Sequence, residues 1–404
     1  MSRCLSDRSV DHVVLERGRV AERWRTERWD SLRLLTPNWQ TRLPGFRYEG
    51  PEPDGYMSMP QLVTFFEDYA ASFAAPVEPG TTVLGVERTG RDFRVRTDRG
   101  AWLAGDVVIA TGYSDLPFVP PLARHLSPRI VQIVPTEYRN PGQLPPGGVL
   151  VVGASATGVQ LAEEIQASGR PVTIGVGRHL RLPRTYRGRD IMWWLDGMGV
   201  FDETSDDVFD IRASRSQPSL QLAGRADIHS LDVTLLRRRG VRVLGRLVSL
   251  DQERAFFDDD LIATTAASDV KLAELLVRID AFISEAGFRA AASPEPFEPT
   301  WTSALGVTKT AIDLRAAGID TVIWATGFAR RYPWLNVPAL DERGEIMHRG
   351  GITPVPGLFA LGLHFQRRRK SAFIDGVGDD AAFLADRMVG RARREMPWTT
   401  RLTG

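Results

Sequence analysis

The sequence predicts an α/β fold, and three observations predict it. Short apolar runs alternate with stretches of helical period along most of the chain. One stretch, 147–179, reads strand, glycine turn, helix, strand, a complete βαβ unit. Two further segments, "GDVVIATGYSDLPFVPPL" from 105 and "IDTVIWATGFARRYPWLNVPAL" from 319, repeat one order: an acid, a buried strand, Ala-Thr-Gly, an aromatic residue and a Pro-rich loop. A length of 404 residues leaves room for two or three domains, each with its own core.

Composition narrows the function. The formal net charge of +1 gives no bulk field for nucleic acid or an anionic membrane. The basic runs at 237–239 and 367–370 read as solvated faces. No apolar stretch approaches the ~18 residues of a membrane span. The single cysteine, Cys4, excludes an internal disulfide, a Cys-rich metal site and a CxxC pair. Asp7, Asp11 and Glu16 near the start leave no signal-peptide core, so a cytoplasmic location is expected.

In chain order, "MSRCLSDRSVDHVVLERGR" reads as a short helix, the strand "DHVVLE" and a polar turn. Glu16 ends that strand where a dinucleotide fold places the acid that holds a ribose. The matching third glycine would fall about 20 residues earlier, before Met1. The expectation is a unit whose first strand and phosphate loop are missing from the sequence; the alternative is a plain strand-end acid.

The 147–179 unit is more complete. Val149–Val152 suit a central parallel strand covered on both faces. The loop Gly153-Ala154-Ser155-Ala156-Thr157-Gly158 follows. Gly153 fits the tight turn and Gly158 the close helix–strand packing, while Ser155 takes the middle position and adds a hydroxyl near the phosphates. Backbone N–H groups at the helix start would face a pyrophosphate. A helix from Gly158 to Ser168 carries Val159, Leu161, Ala162 and Ile165 on its apolar face, and Gly169 ends it. After the second strand, "VTIGV", stands Arg178, 20 residues beyond Gly158, where an acid would hold a ribose hydroxyl. His179, Arg181 and Arg184 follow it; a cation at that corner suits a 2′-phosphate, favouring NADPH over NADH, the alternative being surface arginines beside a loop.

Between 185 and 300 the pattern is plainer. Trp193 and Trp194 are paired. Leu272, Leu275, Leu276, Ile279, Phe282 and Ile283 form the stripe of an amphipathic helix. A Pro-rich linker is expected at 292–301.

The segment "ERWRTERWDSLRLLTPNWQTRLPGF", 22–46, together with "ATG" at 110–112, "GASATG" at 153–158 and "IWATGF" at 323–328, resembles the class B flavin-dependent monooxygenases. Within them the likeness is to the bacterial and plant branch that includes the indole-3-pyruvate monooxygenases. It covers nearly the whole chain and is weakest over 200–300. It implies two Rossmann-like, three-layer domains, with an NADPH domain at 116–300 inserted into an FAD domain made of 1–115 and 301–404. By that resemblance Glu16 and Arg17 would meet the adenosine ribose of FAD, and Trp24, Arg25, Trp29 and Asp30 would run along the cofactor. Leu34 to Gln40 would lie near the flavin ring, with Val83, Ala110, Thr111 and Gly112 close to FAD. Thr326, Gly327 and Phe328 would stand at the domain junction. Gly362, Asp375 and Gly376 to Gly378 would reach the flavin, with a helix N-terminus near its O2 edge. One family pattern, FxGxxxHxxxY, departs here: "VQIVPTEYRNP" has Val134 at the histidine and retains Tyr138.

The implied reaction is hydride transfer from NADPH to FAD, then insertion of one oxygen of O2 into a small organic substrate through a C4a-hydroperoxyflavin. No catalytic side chain is singled out, and no metal, nucleic-acid or membrane partner is expected. Two alternatives stay open: an NADPH oxidoreductase or oxidase that inserts no oxygen, and an inactive homologue that cannot hold FAD.

Overall fold

Five parallel strands form the central sheet, in the order Val131–Ile133, Ile319–Trp324, Gly148–Val152, Val172–Gly175 and Arg242–Leu244. The computed structural model describes residues 1–114, 116–227, 229–287 and 309–395. The strand Gly148–Val152 is buried along its whole length, as a strand covered on both faces must be. Its side chains alternate between two cores. Val149 and Val151 join Val159, Leu161, Ala162 and Ile165 of the following helix, while Leu150 and Val152 join Phe257, Val322 and Trp324 on the opposite face. That helix runs Ala156–Ala167, and Gly169 leaves it at φ +87°, a left-handed stop that a Cβ would resist.

Ile319–Trp324 is hydrogen-bonded on both sides within this sheet. This strand follows the boundary expected at 300, so the central sheet draws strands from both sides of that position. An antiparallel sheet of Leu247–Asp251, Arg254–Phe257 and Ala311–Asp313 does the same. The expected linker at 292–301 lies outside the described residues.

The other half of the molecule holds two parallel ribbons, Val14–Leu15 with Val77–Glu78 and Val107–Ile109 with Leu358–Ala360. Among the described residues no strand joins these ribbons. A four-stranded sheet of Leu335–Asn336, Val83–Thr89, Asp92–Thr97 and Gly100–Ala104 lies in the same half. Cys4 and Leu5 of the helix Ser2–Ser6 pack on Leu384, Ala385 and Met388 of the helix Val377–Glu395.

The two repeated segments meet at the junction of the halves. Leu116–Pro117 pairs antiparallel with Phe328–Ala329. The Phe118 amide donates to the Gly327 carbonyl at 2.9 Å, and the Thr326 hydroxyl donates to the Phe118 carbonyl.

The amphipathic stripe becomes the helix Leu261–Glu285, which buries Leu272, Leu276, Ile279 and Ile283 and leaves Leu275 and Phe282 half-buried. It packs on Trp194, whose indole Nε1 donates to the Tyr186 carbonyl at 2.7 Å. Ile279 is fully buried in this contact. Ile279→Ala is predicted to lower unfolding free energy by roughly 2–5 kcal/mol in urea titration. A loss of only a few tenths would mean that the helix is not docked.

Candidate functional site

Sterics fix the turn after Gly148–Val152. Gly153 stands at φ +109°, and a Cβ there would lie 2.3 Å from the Ala325 carbonyl oxygen. A Cβ on Gly158 would lie 1.9 Å from the Gly153 carbonyl oxygen. Neither position admits a side chain, so strand, turn and helix close up as a phosphate loop requires. Ser155 is the N-cap in extended conformation, and its side chain makes no cap bond. The N–H groups of Ala156 and Thr157 therefore stand at an open helix start, without intrahelical partners. The fully buried Gln221 steadies this turn, donating from Nε2 to the Ala154 carbonyl at 2.6 Å.

The structure sorts the cationic corner. Arg178, just beyond Val172–Gly175, is exposed and makes no ion pair among the described residues. Arg181 is buried, with Asp232 at 3.1 Å and Asp269 at 2.9 Å. Arg184 is buried as well, paired with Asp190 and donating to the Leu35 carbonyl at 2.9 Å. Burial lowers the pKa of His179 and favours its neutral form. The expected set of cations is corrected to Arg178 alone; the others are committed to packing.

The other ribbon ends in a second pair of glycines. Gly112, at φ +76°, and Gly362, at φ +81°, follow the carboxyl ends of Val107–Ile109 and Leu358–Ala360. A Cβ on Gly362 would stand 4.0 Å from the Gly112 Cα. Ligands of open α/β sheets bind at such strand ends. Ala110 and Thr111 are exposed beside it. Glu16, at the end of its own strand, accepts the Gly18 amide at 2.7 Å, which aims the carboxylate away from the strand. Arg17 is exposed next to it.

Between the halves runs the 34–42 segment. Leu34 is buried, and its amide donates to the Met57 carbonyl. Asn38, Gln40 and Thr41 are also buried, and their Oδ1, Oε1 and Oγ1 atoms have no partner among the described residues. Each such orphan costs about 1–3 kcal/mol, which a polar ligand would recover.

Asp375 is clamped by Arg42, at 2.5 Å to Nε and 3.2 Å to Nη2. Gly376 is sterically required, since a Cβ there would meet the Lys370 carbonyl oxygen at 1.9 Å. These residues lead into the N-terminus of Val377–Glu395. In its first turn Asp380 is almost fully buried, with Arg367 at 3.5 Å, and burial pushes its carboxyl up to about 6.

The remaining expected residues lie as follows. Trp24 packs with its ring centroid 6.4 Å from that of Phe66, and Arg25 pairs with Glu67 at 2.7 Å. Trp29 is buried in the core beside the central sheet, with Tyr138, Leu144 and Ala162, so its ring joins the two halves. Val83 is half-buried at a strand end opposite Thr97. Thr326 and Gly327 form the junction ribbon described above. Sequence reading missed Gln221, Arg42, Asp380 and the contact of Tyr56 with Asp190, whose partners are remote in sequence.

Gly158→Ala is predicted to weaken NADP+ binding at least about tenfold in a calorimetric titration; unchanged affinity would contradict the loop assignment. Asp380 binds its proton more tightly folded than unfolded, so its contribution to stability is lost as pH rises from about 4 through 6. Asp380→Asn should therefore gain on the wild type by roughly 1–3 kcal/mol between pH 4 and 7 in urea unfolding. Parallel pH curves would refute this.

Residues 1–187 match the family described as pyridine nucleotide-disulphide oxidoreductase. An uncharacterized oxidoreductase CzcO-like of Geobacillus kaustophilus is 32% identical over 374 residues, 92% of this chain and 89% of the relative. The indole-3-pyruvate monooxygenase YUCCA1 of Oryza sativa subsp. japonica is 30% identical over 190 residues, 46% of this chain and 47% of that protein. Among solved structures, the flavin-containing monooxygenase from Stenotrophomonas maltophilia shares the fold with a TM-score of 0.59 at 17% identity, covering 94% of this chain and 98% of its own. The bacillithiol disulfide reductase from Bacillus cereus shares it with a TM-score of 0.60 at 13% identity, covering 96% and 94%. With two glycine-bearing strand ends on one α/β frame, and a relative matched over nearly its whole length, the chain belongs to the CzcO-like oxidoreductases.

Proposed function

We propose that the protein is an NADPH-dependent FAD oxidoreductase that inserts one oxygen atom of O2 into a small organic substrate. The observation that carries this reading is the pairing of two glycine-bearing strand ends across one ribbon. On one side lies the Gly153–Gly158 turn with the free Arg178; on the other lie Gly112 and Gly362.

NADPH would be held by the amides of Ala156 and Thr157 at its pyrophosphate and by Arg178 at its 2′-phosphate. FAD would take Glu16 at its adenosine ribose and the backbone of Gly112 and Gly362 at the strand ends. The orphaned polar atoms of Asn38, Gln40 and Thr41 would serve its polar edge. When bound, the flavin supplies two-electron acceptance from NADPH and activation of O2. The chain's own part is to orient and to exclude water. Arg42 neutralises Asp375, and Arg368 at 2.6 Å and Arg367 at 3.5 Å face Asp379 and Asp380 in the first turn of Val377–Glu395, which offsets the acids at that helix start. No side-chain acid or base is assigned. A dithiol relay is excluded by chemistry, since the chain has one cysteine.

With FAD added, NADPH oxidation should consume O2 and place labelled oxygen from 18O2 in an organic product. Stoichiometric H2O2 with no oxygenated product would reject oxygen insertion. Arg178→Ala should weaken NADPH about tenfold or more and leave NADH unchanged in steady-state kinetics. An equal loss for both nucleotides would remove Arg178 from the 2′-phosphate.

A further inference from the structure

We propose that the pocket between Trp39 and the helix Ile191–Gly197 binds a flat zwitterion of the aromatic α-amino acid class. The pocket measures about 410 Å³, within the range of small-ligand sites. Its walls come from both halves of the molecule: Trp39 and Asp54 on one side, Arg189, Trp193 and Asp196 on the other.

The apolar walls are rigid. Trp193 stands edge-to-face against Trp194, with centroids 4.8 Å apart and planes at 89°. Trp194 is itself fully buried and hydrogen-bonded, so the Trp193 plane is fixed. Fixed indole walls suit a flat apolar body. The Nε1 of Trp39 is buried and has no partner among the described residues.

The charges are of both signs and incompletely matched. The Arg189 guanidinium lies 5.4 Å from the Trp193 ring centroid and makes no ion pair among the described residues. Its fork is free for a carboxylate. Asp196 is partly buried; Arg42, which already binds Asp375 through two nitrogens, stands at 4.0 Å, and Lys370, paired with Asp202 at 2.9 Å, is a more distant cation. Asp196 thus has only a fraction of a counter-charge, and the exposed Asp54 adds a second carboxylate to the same wall. An ammonium would complete this side. A ligand with a flat body, one carboxylate and one ammonium satisfies every wall; a ligand lacking either charge leaves one protein group unmatched.

The chain Asp196–Arg42–Asp375 links the pocket to the start of Val377–Glu395. Calling the ligand a substrate rests on the function proposed above; its binding does not.

The test is calorimetric titration of the full chain, without NADPH, using L-phenylalanine, phenethylamine and 3-phenylpropanoate. Saturable binding of L-phenylalanine is expected, with each one-charge analogue weaker about tenfold or more. Arg189→Gln should bring L-phenylalanine down to the affinity of phenethylamine and leave phenethylamine unchanged. Trp193→Leu should weaken all three. The proposal is overturned if L-phenylalanine does not bind saturably, if the three probes bind alike, or if Arg189→Gln leaves the preference intact. Should Trp193→Leu fail to fold, the exposed Arg189 still decides. Binding of L-phenylalanine without its oxygenation by NADPH and O2 would uphold the pocket and count against that ligand as a substrate.

Discussion

The structure depends on one close approach. The Ala325 carbonyl occupies the space that a Cβ on Gly153 would need, and the Gly153 carbonyl occupies that of Gly158. These contacts press the nucleotide turn, its helix and the end of Ile319–Trp324 into one unit. The next residues after Ala325 are Thr326 and Gly327, which hold the junction ribbon. A change at the dinucleotide turn is therefore felt, through backbone contacts only, where the two halves meet. Glycine is needed there for space, so the requirement is written into the local sequence.

A second set of contacts holds residues 184–224 against the 34–56 segment. Arg184 donates to the Leu35 carbonyl and pairs with Asp190, while the Tyr56 hydroxyl donates to the same carboxylate. The Arg184 guanidinium lies 5.0 Å from the Tyr56 ring centroid. Burial, with Asp190 beside it, raises the Tyr56 pKa and keeps the phenol protonated as a donor. Gly224 completes the closure, because a Cβ there would meet the Leu34 carbonyl oxygen at 2.0 Å. The segment expected beside the flavin is thus shaped by residues from the other domain. Trp29, sunk in the central-sheet core, ties the same segment down from its other end.

How much of this was legible follows from where the determining contacts lie. The Gly153–Gly158 turn, the central strand and the long helix could be read because steric and periodic requirements act over a few residues. The fate of Arg181 and Arg184 could not, because their partners include Asp232, Asp269 and the Leu35 carbonyl, far along the chain. Next to Arg178 they look like one cationic cluster; only the fold shows two of the three spent on buried acids. The place of Ile319–Trp324 in the central sheet was hidden for a similar reason. A buried apolar strand before Ala-Thr-Gly reads the same in both copies, although Val107–Ile109 pairs with Leu358–Ala360 and Ile319–Trp324 pairs inside the central sheet. The orphaned atoms of Asn38, Gln40 and Thr41 show only once burial is known.

The central claim is that the Gly153–Gly158 turn and Arg178 form the NADPH site. A crystal structure of the protein with NADP+ bound tests it most directly. The account predicts pyrophosphate oxygens within hydrogen-bond distance of the Ala156 and Thr157 amides and the 2′-phosphate against the Arg178 guanidinium. A dinucleotide seated elsewhere, or one whose 2′-phosphate turns away from Arg178, would contradict it.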